Sequence, residues 1–223
     1  MRTSVANQCL FDERSTEKTD HRPLTTDNFL DHFPPFTAVL LAGGKSRRMG
    51  QDKAYLPVEW EGASMPLWQR QLAVLQAIAP EELVISGPRK EGYPPSVAVL
   101  ADEWDGMGPL GGIATCLSRT RSALLLVLAI DLPGIQPGFL KKLLARSETG
   151  CGVVPIHHSR FEPLIAIYPV KALGVAIDQL RKQDYVLQHF INKLLENGVM
   201  IGYEVELSEQ NQLKNWNKPE DLQ

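Results

Sequence analysis

Cysteine is scarce in this 223-residue chain: Cys9, Cys116 and Cys151 stand far apart and form no C-x-x-C pair. That spacing argues against both a disulfide framework and a cysteine zinc site, and it fits a reducing cytoplasm. Long apolar runs are missing too. The longest, ALLLVLAI from Ala123 to Ile130, is far short of the roughly 20 residues a membrane helix requires. Nor is there an excess of positive charge. The formal net charge of −3 gives no electrostatic case for nucleic acid as the main partner, so any anion-binding surface must be local. What remains is ordinary. With 43% apolar and 22% charged residues, the chain reads as a soluble globular protein able to bury a sizeable core.

The first 35 residues differ from the rest. Acidic Asp12, Glu13, Glu17, Asp20, Asp27 and Asp31 lie among basic residues with no hydrophobic period. The segment has no apolar core of a signal peptide and is too acidic for a mitochondrial presequence. Residues 1–35 are therefore expected to be a poorly ordered extension, and 36–223 a single domain.

From Phe36 onward, apolar runs alternate with helical patterns. TAVLLA (37–42), ELVISG (82–87), VAVLAD (97–102) and ALLLVLAID (123–131) read as strands, the last continuous as for a strand covered on both faces. PLWQRQLAVLQAIA (66–79) puts Leu67, Trp68, Leu72, Leu75 and Ile78 on one helical stripe. GPLGGIATCLSR (108–119) and PGFLKKLLAR (137–146) read as helices with Pro near their starts. Further on, GVVPIH (152–157), EPLIAIY (162–168) and IGYEVEL (201–207) read as strands, with helices over 171–182 and 187–198. Such alternation predicts an α/β fold with a mostly parallel sheet.

One stretch concentrates chemistry: LLAGGKSRRMGQDK, Leu40 to Lys53. It is not a Walker A loop, because the first glycine of that pattern falls on Val39, and this disfavours a P-loop kinase or NTPase. It is not a G-x-G-x-x-G fingerprint either, since its glycines lie at 43, 44 and 50. Yet two glycines follow a buried strand, where backbone can approach a ligand without a Cβ in the way. Lys45, Arg47, Arg48 and Lys53 against Asp52 give residues 45–53 a net charge of +3. At the carboxyl end of the first strand of an open sheet, such a loop is where a nucleotide is expected. Asp131 closes the most hydrophobic strand. Its carboxylate is costly to bury unpaired, so it should emerge at the same edge and meet a cation, magnesium being the natural one. The alternative is an N-cap for the next helix, although Leu132, Pro133 and Gly134 intervene. His157 and His158 read as strand-end or turn residues.

LAGGKSRRMGQDK resembles the LAGG-x-x-x-RMG-x-DK signature of the MobA-like nucleotidyltransferases. The resemblance runs from about Phe36 to the C-terminus through DEWDGMGPLGGI (102–113), AIDLP (129–133), EPLIAIY (162–168) and NWNKPEDL (215–222). It implies a Rossmann-like three-layer sandwich that transfers GMP from GTP to the molybdopterin cofactor, with Mg2+ as the metal. GTP and molybdopterin are then the substrates, and molybdoenzyme maturation proteins become candidate partners. It further implies that Leu41, Ala42, Gly43, Gly44, Lys53, Ser86, Asp102 and Asp131 bind the nucleotide. Lys53, Arg48 and Asp131 are the expected catalytic residues, and Asp131 the expected metal ligand. Ser86 departs from the family, which carries asparagine there. Asn215 and Asn217 match the segment at the pterin end, where Asn217 also suits a helix N-cap. The second glycine, Gly44, favours GTP, because cytidylyltransferases for the same pterin tend to carry LAAG. Alternatives are a molybdopterin cytidylyltransferase, a sugar-phosphate nucleotidyltransferase, or a non-catalytic nucleotide- or cofactor-binding adaptor.

Overall fold

A computed structural model describes residues 33–43 and 52–216. The expected extension, 1–35, lies outside that range except for its last three residues. The chain runs β1 (Phe36–Leu41), β2 (Pro57–Trp60), β3 (Ala63–Pro66), α1 (Leu67–Gln76), β4 (Glu82–Ser86), β5 (Ala98–Leu100) and α2 (Gly108–Arg119). It continues β6 (Leu124–Ala129), α3 (Pro137–Leu144), β7 (Gly152–His157), β8 (Arg160–Phe161), β9 (Ile165–Pro169), α4 (Ala172–Arg181), α5 (Leu187–Glu196) and β10 (Met200–Glu204). Short 3-10 turns occupy Lys53–Tyr55 and Gln210–Leu213.

Among the described residues the main sheet has eight strands in the order β10-β7-β9-β6-β1-β4-β5, with β8 paired to β7. β1 sits inside it, parallel to β4 on one side and to β6 on the other. Every residue of β1 and β6 is buried, as their charge-free sequences FTAVLL and LLLVLA require. Their side chains alternate between two cores. Ala38, Leu40, Leu126 and Leu128 meet α1 and α3 on one face, through Leu72, Leu75, Phe139 and Leu140. Val39, Leu41, Leu125 and Val127 meet α2, α4 and α5 on the other, through Ile113, Leu117, Ala176 and Phe190. This is the three-layer α/β sandwich anticipated above.

The differences from the sequence reading are local. β9 runs antiparallel to both β6 and β7, so the sheet is mixed beyond β6. EPLIAIY becomes a strand only at Ile165, because Pro163 has no N–H to give to a ladder and the Ile165 N–H instead turns back to the Glu162 carbonyl. A hairpin of β2 and β3 precedes α1, its turn made by Glu61 and Gly62 with φ of 50° and 79°. No helix among the described residues is long and apolar enough to cross a membrane.

The tight seam between β7 and β9 gives a direct test. A methyl on Gly152 would run into the Ile167 carbonyl and lie 2.8 Å from Pro169 Cδ. Gly152→Ala should lower the unfolding free energy by about 3 kcal/mol in urea titrations. Gly138→Ala, in α3 with nothing within 4 Å, should leave it unchanged or raise it by up to about 1 kcal/mol.

Candidate active site

Parallel pairing brings the carboxyl ends of β1, β4, β5 and β6 to one edge of the sheet. There the backbone of Ala42 donates to the Ser86 carbonyl at 2.9 Å, and the Gly87 N–H to the Leu100 carbonyl at 2.9 Å. The two turns press together. Gly87 has φ of +132°, and a Cβ on it would lie 2.8 Å from the Gly43 nitrogen, so only glycine lets these backbones meet. Gly44, Lys45 and Arg48, and Asn217 at the far end of the chain, lie outside the described residues.

Asp52 and Lys53 enter from the far side of the loop with opposite tasks. The Asp52 carboxylate caps the turn at Lys53–Tyr55, accepting from the Ala54 N–H at 3.0 Å. Its outer partner is Lys90, 2.7 Å away, whose ammonium also reaches the Ala42 carbonyl at 3.5 Å. Burial acts to raise the Asp52 carboxyl, but the Lys90 hydrogen bond, the Ala54 N–H and the Lys90 charge outweigh it and hold it below its ordinary value. With Asp52 tied outward, Lys53 turns inward to Asp131, Nζ to Oδ2 at 3.7 Å. Both side chains are mostly covered, at 15% and 26% exposure.

Asp131 lies two residues beyond β6, not in it. The Ile130 N–H donates to the Leu41 carbonyl at 3.1 Å, tying this loop to the end of β1, and the Trp216 N–H donates to the Asp131 carbonyl at 2.9 Å. That second bond belongs to a C-terminal strap. Glu209, buried, accepts from Tyr203 at 2.7 Å and Lys142 at 2.7 Å, and Gln212 packs so closely on Gly134 that a Cβ there would lie 2.9 Å from it. The strap delivers Asn215 to an open cleft of about 420 Å³ next to Leu132, lined also by Arg160, Phe161, Pro163 and Gln188.

Two expected nucleotide residues are engaged elsewhere as well. Asp102 follows β5 and accepts from the Trp104 N–H at 2.8 Å and the Thr115 hydroxyl at 3.2 Å, which fixes the entry to α2. Ser86 is 4% exposed and turns its hydroxyl towards Gly112 and Cys116 of α2. Burial pushes the Cys116 thiol up to about 12, with Ser86 pulling the other way, so this cysteine stays a neutral packing group. His157 ends β7 and His158 lies in the following turn. Burial, then the His158 charge, lowers His157, and among the described residues no group of three or more His, Cys, Asp and Glu comes together to hold a metal.

A model of the MobA-like NTP transferase domain matches residues 38–198. The chain belongs to the MobA-like NTP transferase family. A relative from Opitutus terrae, named as a probable molybdenum cofactor guanylyltransferase, is 37% identical over 187 residues, covering 82% of this chain and 91% of that one. A molybdenum cofactor guanylyltransferase from Xanthomonas euvesicatoria is 42% identical over 118 residues, 52% of this chain and 58% of that one. Among solved structures, molybdopterin-guanine dinucleotide biosynthesis protein A from Archaeoglobus fulgidus superposes with a TM-score of 0.64 at 26% identity, covering 84% of this chain and 94% of that one. A 2-C-methyl-D-erythritol 4-phosphate cytidylyltransferase from Thermus thermophilus shares the fold, with a TM-score of 0.61 at 16% identity and coverage of 82% and 94%.

In this MobA-like transferase the sequence reading missed Lys90 and also Gln71 of α1, a buried residue whose side-chain amide donates to the Leu132 carbonyl at 3.0 Å. The Arg89-Lys90 pair after the β4 glycine was a signal for the first. A polar residue between Leu67 and Leu75 on the buried stripe of α1 was the signal for the second.

The Asp52–Lys90 pair has a pH consequence. A carboxyl held below its ordinary 3.8 stabilises the fold above that pH, and the contribution is lost as pH falls through the folded value. Carbon NMR titration of Lys90→Met should find Asp52 titrating higher than in the parent, with the acid unfolding limb correspondingly flatter. An unchanged Asp52 titration would remove Lys90 from this role.

Proposed function

We propose that this chain transfers GMP from GTP to the molybdopterin cofactor, giving the guanine dinucleotide form and pyrophosphate. The observation that carries the reading is the Lys53–Asp131 pair, 3.7 Å apart beside the Ala42–Gly43 turn. It is supported by 37% identity to a relative named for that activity. A terminal phosphate oxygen of the pterin attacks the α-phosphorus of GTP. The bond from that phosphorus to the bridging oxygen breaks, and pyrophosphate departs with the electron pair. The attacking phosphate is already ionised at neutral pH, so the reaction needs no general base, only positioning and charge stabilisation.

Each residue then has a task. Lys53 and Arg48 neutralise charge on the phosphates. The backbone from Leu41 through Gly44 holds the nucleotide, with Ser86 supporting Ala42 and Asp102 completing that side. Asn215, which lines the cleft beside Leu132, serves the pterin end together with Asn217. A partly exposed carboxylate at the sheet edge suits magnesium, which takes one or two carboxylates and fills its shell with phosphate oxygens and water. Asp131 would hold that ion, which when bound supplies positive charge to the phosphates. Residues 36–223 form the transferase domain with 1–35 as its extension. The enzyme works in the cytoplasm and hands its product to molybdoenzyme maturation proteins.

The nearest second reading is a cytidylyltransferase, because the fold is shared with one. Incubation with magnesium, molybdopterin and each NTP in turn should release pyrophosphate with GTP; release with CTP alone would overturn the guanylyl assignment. Asp131→Ala should lower turnover by about a hundredfold or more while circular dichroism stays that of a folded protein. Undiminished turnover would take Asp131 out of the reaction, and a parent chain that releases pyrophosphate with none of the NTPs would favour the adaptor reading.

A further inference from the structure

A glutamine with no exposure at all is an odd occupant for the inner face of a helix. Gln71 of α1 is 0% exposed and lies between Leu67 and Leu75 on the buried stripe, where leucine would fill the same space without a polar group to satisfy. Its amide nitrogen points at the end of β6. It lies 3.0 Å from the Leu132 carbonyl oxygen, 3.3 Å from that of Ala129 and 3.5 Å from that of Ile130. An NH2 group has two hydrogens, so two of these are bonds and the longest is shared.

The orientation of the amide is fixed by its other end. Arg70 Nη1 donates to Gln71 Oε1 at 2.7 Å. A guanidinium only donates, so a flipped amide would set NH2 against Arg70 and its oxygen against three carbonyls. Arg70 is itself 3% exposed and stacks 4.5 Å over the Trp60 ring of β2. Burial lowers its guanidinium to about 10, still charged at neutral pH. Trp60, Arg70 and Gln71 thus form a rigid stack ending on the backbone either side of Asp131.

We propose that Gln71 is a positioning residue for Asp131. It clamps the carbonyls of residues 129, 130 and 132 on one side of the loop, while Trp216 holds the carbonyl of 131 on the other. The Asp131 carboxylate is then presented towards Lys53 from a backbone that has nowhere to turn. The inference rests on the reading of Asp131 as the metal-holding residue.

Gln71→Met keeps the volume and removes the donor. Gln179→Met is the control: Gln179 is equally buried in α4 and donates at 3.0 Å to the Val186 carbonyl. Hydrogen exchange of the full chain should quicken about tenfold over residues 129–135 in Gln71→Met and not in Gln179→Met. Calorimetry with Mn2+ and GTP should find affinity for the metal–nucleotide pair weakened about tenfold in the first variant alone. If Gln71→Met does not fold, Gln71→Glu, which sets a carboxylate against the same carbonyls, should produce both changes. Exchange over 129–135 equal to that of the parent overturns the proposal. So does a loss of thermal stability matching the control with metal–nucleotide affinity intact. If the parent binds no Mn2+ with GTP, the functional reading fails, and the exchange result alone decides whether Gln71 holds the loop.

Discussion

The parallel pairing of β1 with its two neighbours is the constraint on which the site depends. Register pairs Leu41 with Ser86 on one side and with Ala129 on the other, so three chains leave the sheet at the same height. Backbone bonds continue that pairing one step past the strands, from Ala42 to Ser86 and from Ile130 to Leu41. The turns at Ala42, Gly87 and Ile130 are thus extensions of the most buried ladder in the molecule. Two hydrophobic layers lock the ladder from both faces, and neither needs a polar group from the site.

On that frame the charges are sorted by direction. Asp52 and Lys53 are adjacent in sequence, yet one pairs outward with Lys90 and the other inward with Asp131. Had Asp52 been left to pair with Lys53, the lysine would be neutralised by its neighbour. Lys90 occupies the Asp52 carboxylate, which also caps the 3-10 turn at Lys53–Tyr55. A short helical turn and one basic residue from another loop thereby decide which lysine faces the carboxylate beyond β6.

The layers, the long helices and the central strands were legible because apolar periodicity reports burial directly. The α2 helix was read to its boundaries, since Gly108-Pro109 opens it and Thr120 leaves it in extended backbone. The place of Asp131 at the edge was legible because a carboxylate after eight apolar residues has little choice but to reach it. Other features were not legible, for a common reason: they depend on partners distant in sequence. The antiparallel course of β9 is set by its neighbours β6 and β7, not by its own residues. Lys90 matters only because Asp52 is near, and Gln71 only because the β6 loop needs donors. The bond that Asp102 accepts from Thr115 likewise depends on a residue thirteen positions away.

The C-terminal strap ties the edge of the sheet to a distant part of the chain. The backbone bond from Trp216 to Asp131 joins the end of the most buried strand to a segment synthesised long after it, and Glu209, bonded to Tyr203 and Lys142, anchors that segment. The pairing of β1 with β4 and β6 does not use that segment, whereas the loop that bears Asp131 does. The central ladder and the Asp131 loop therefore rest on different parts of the chain.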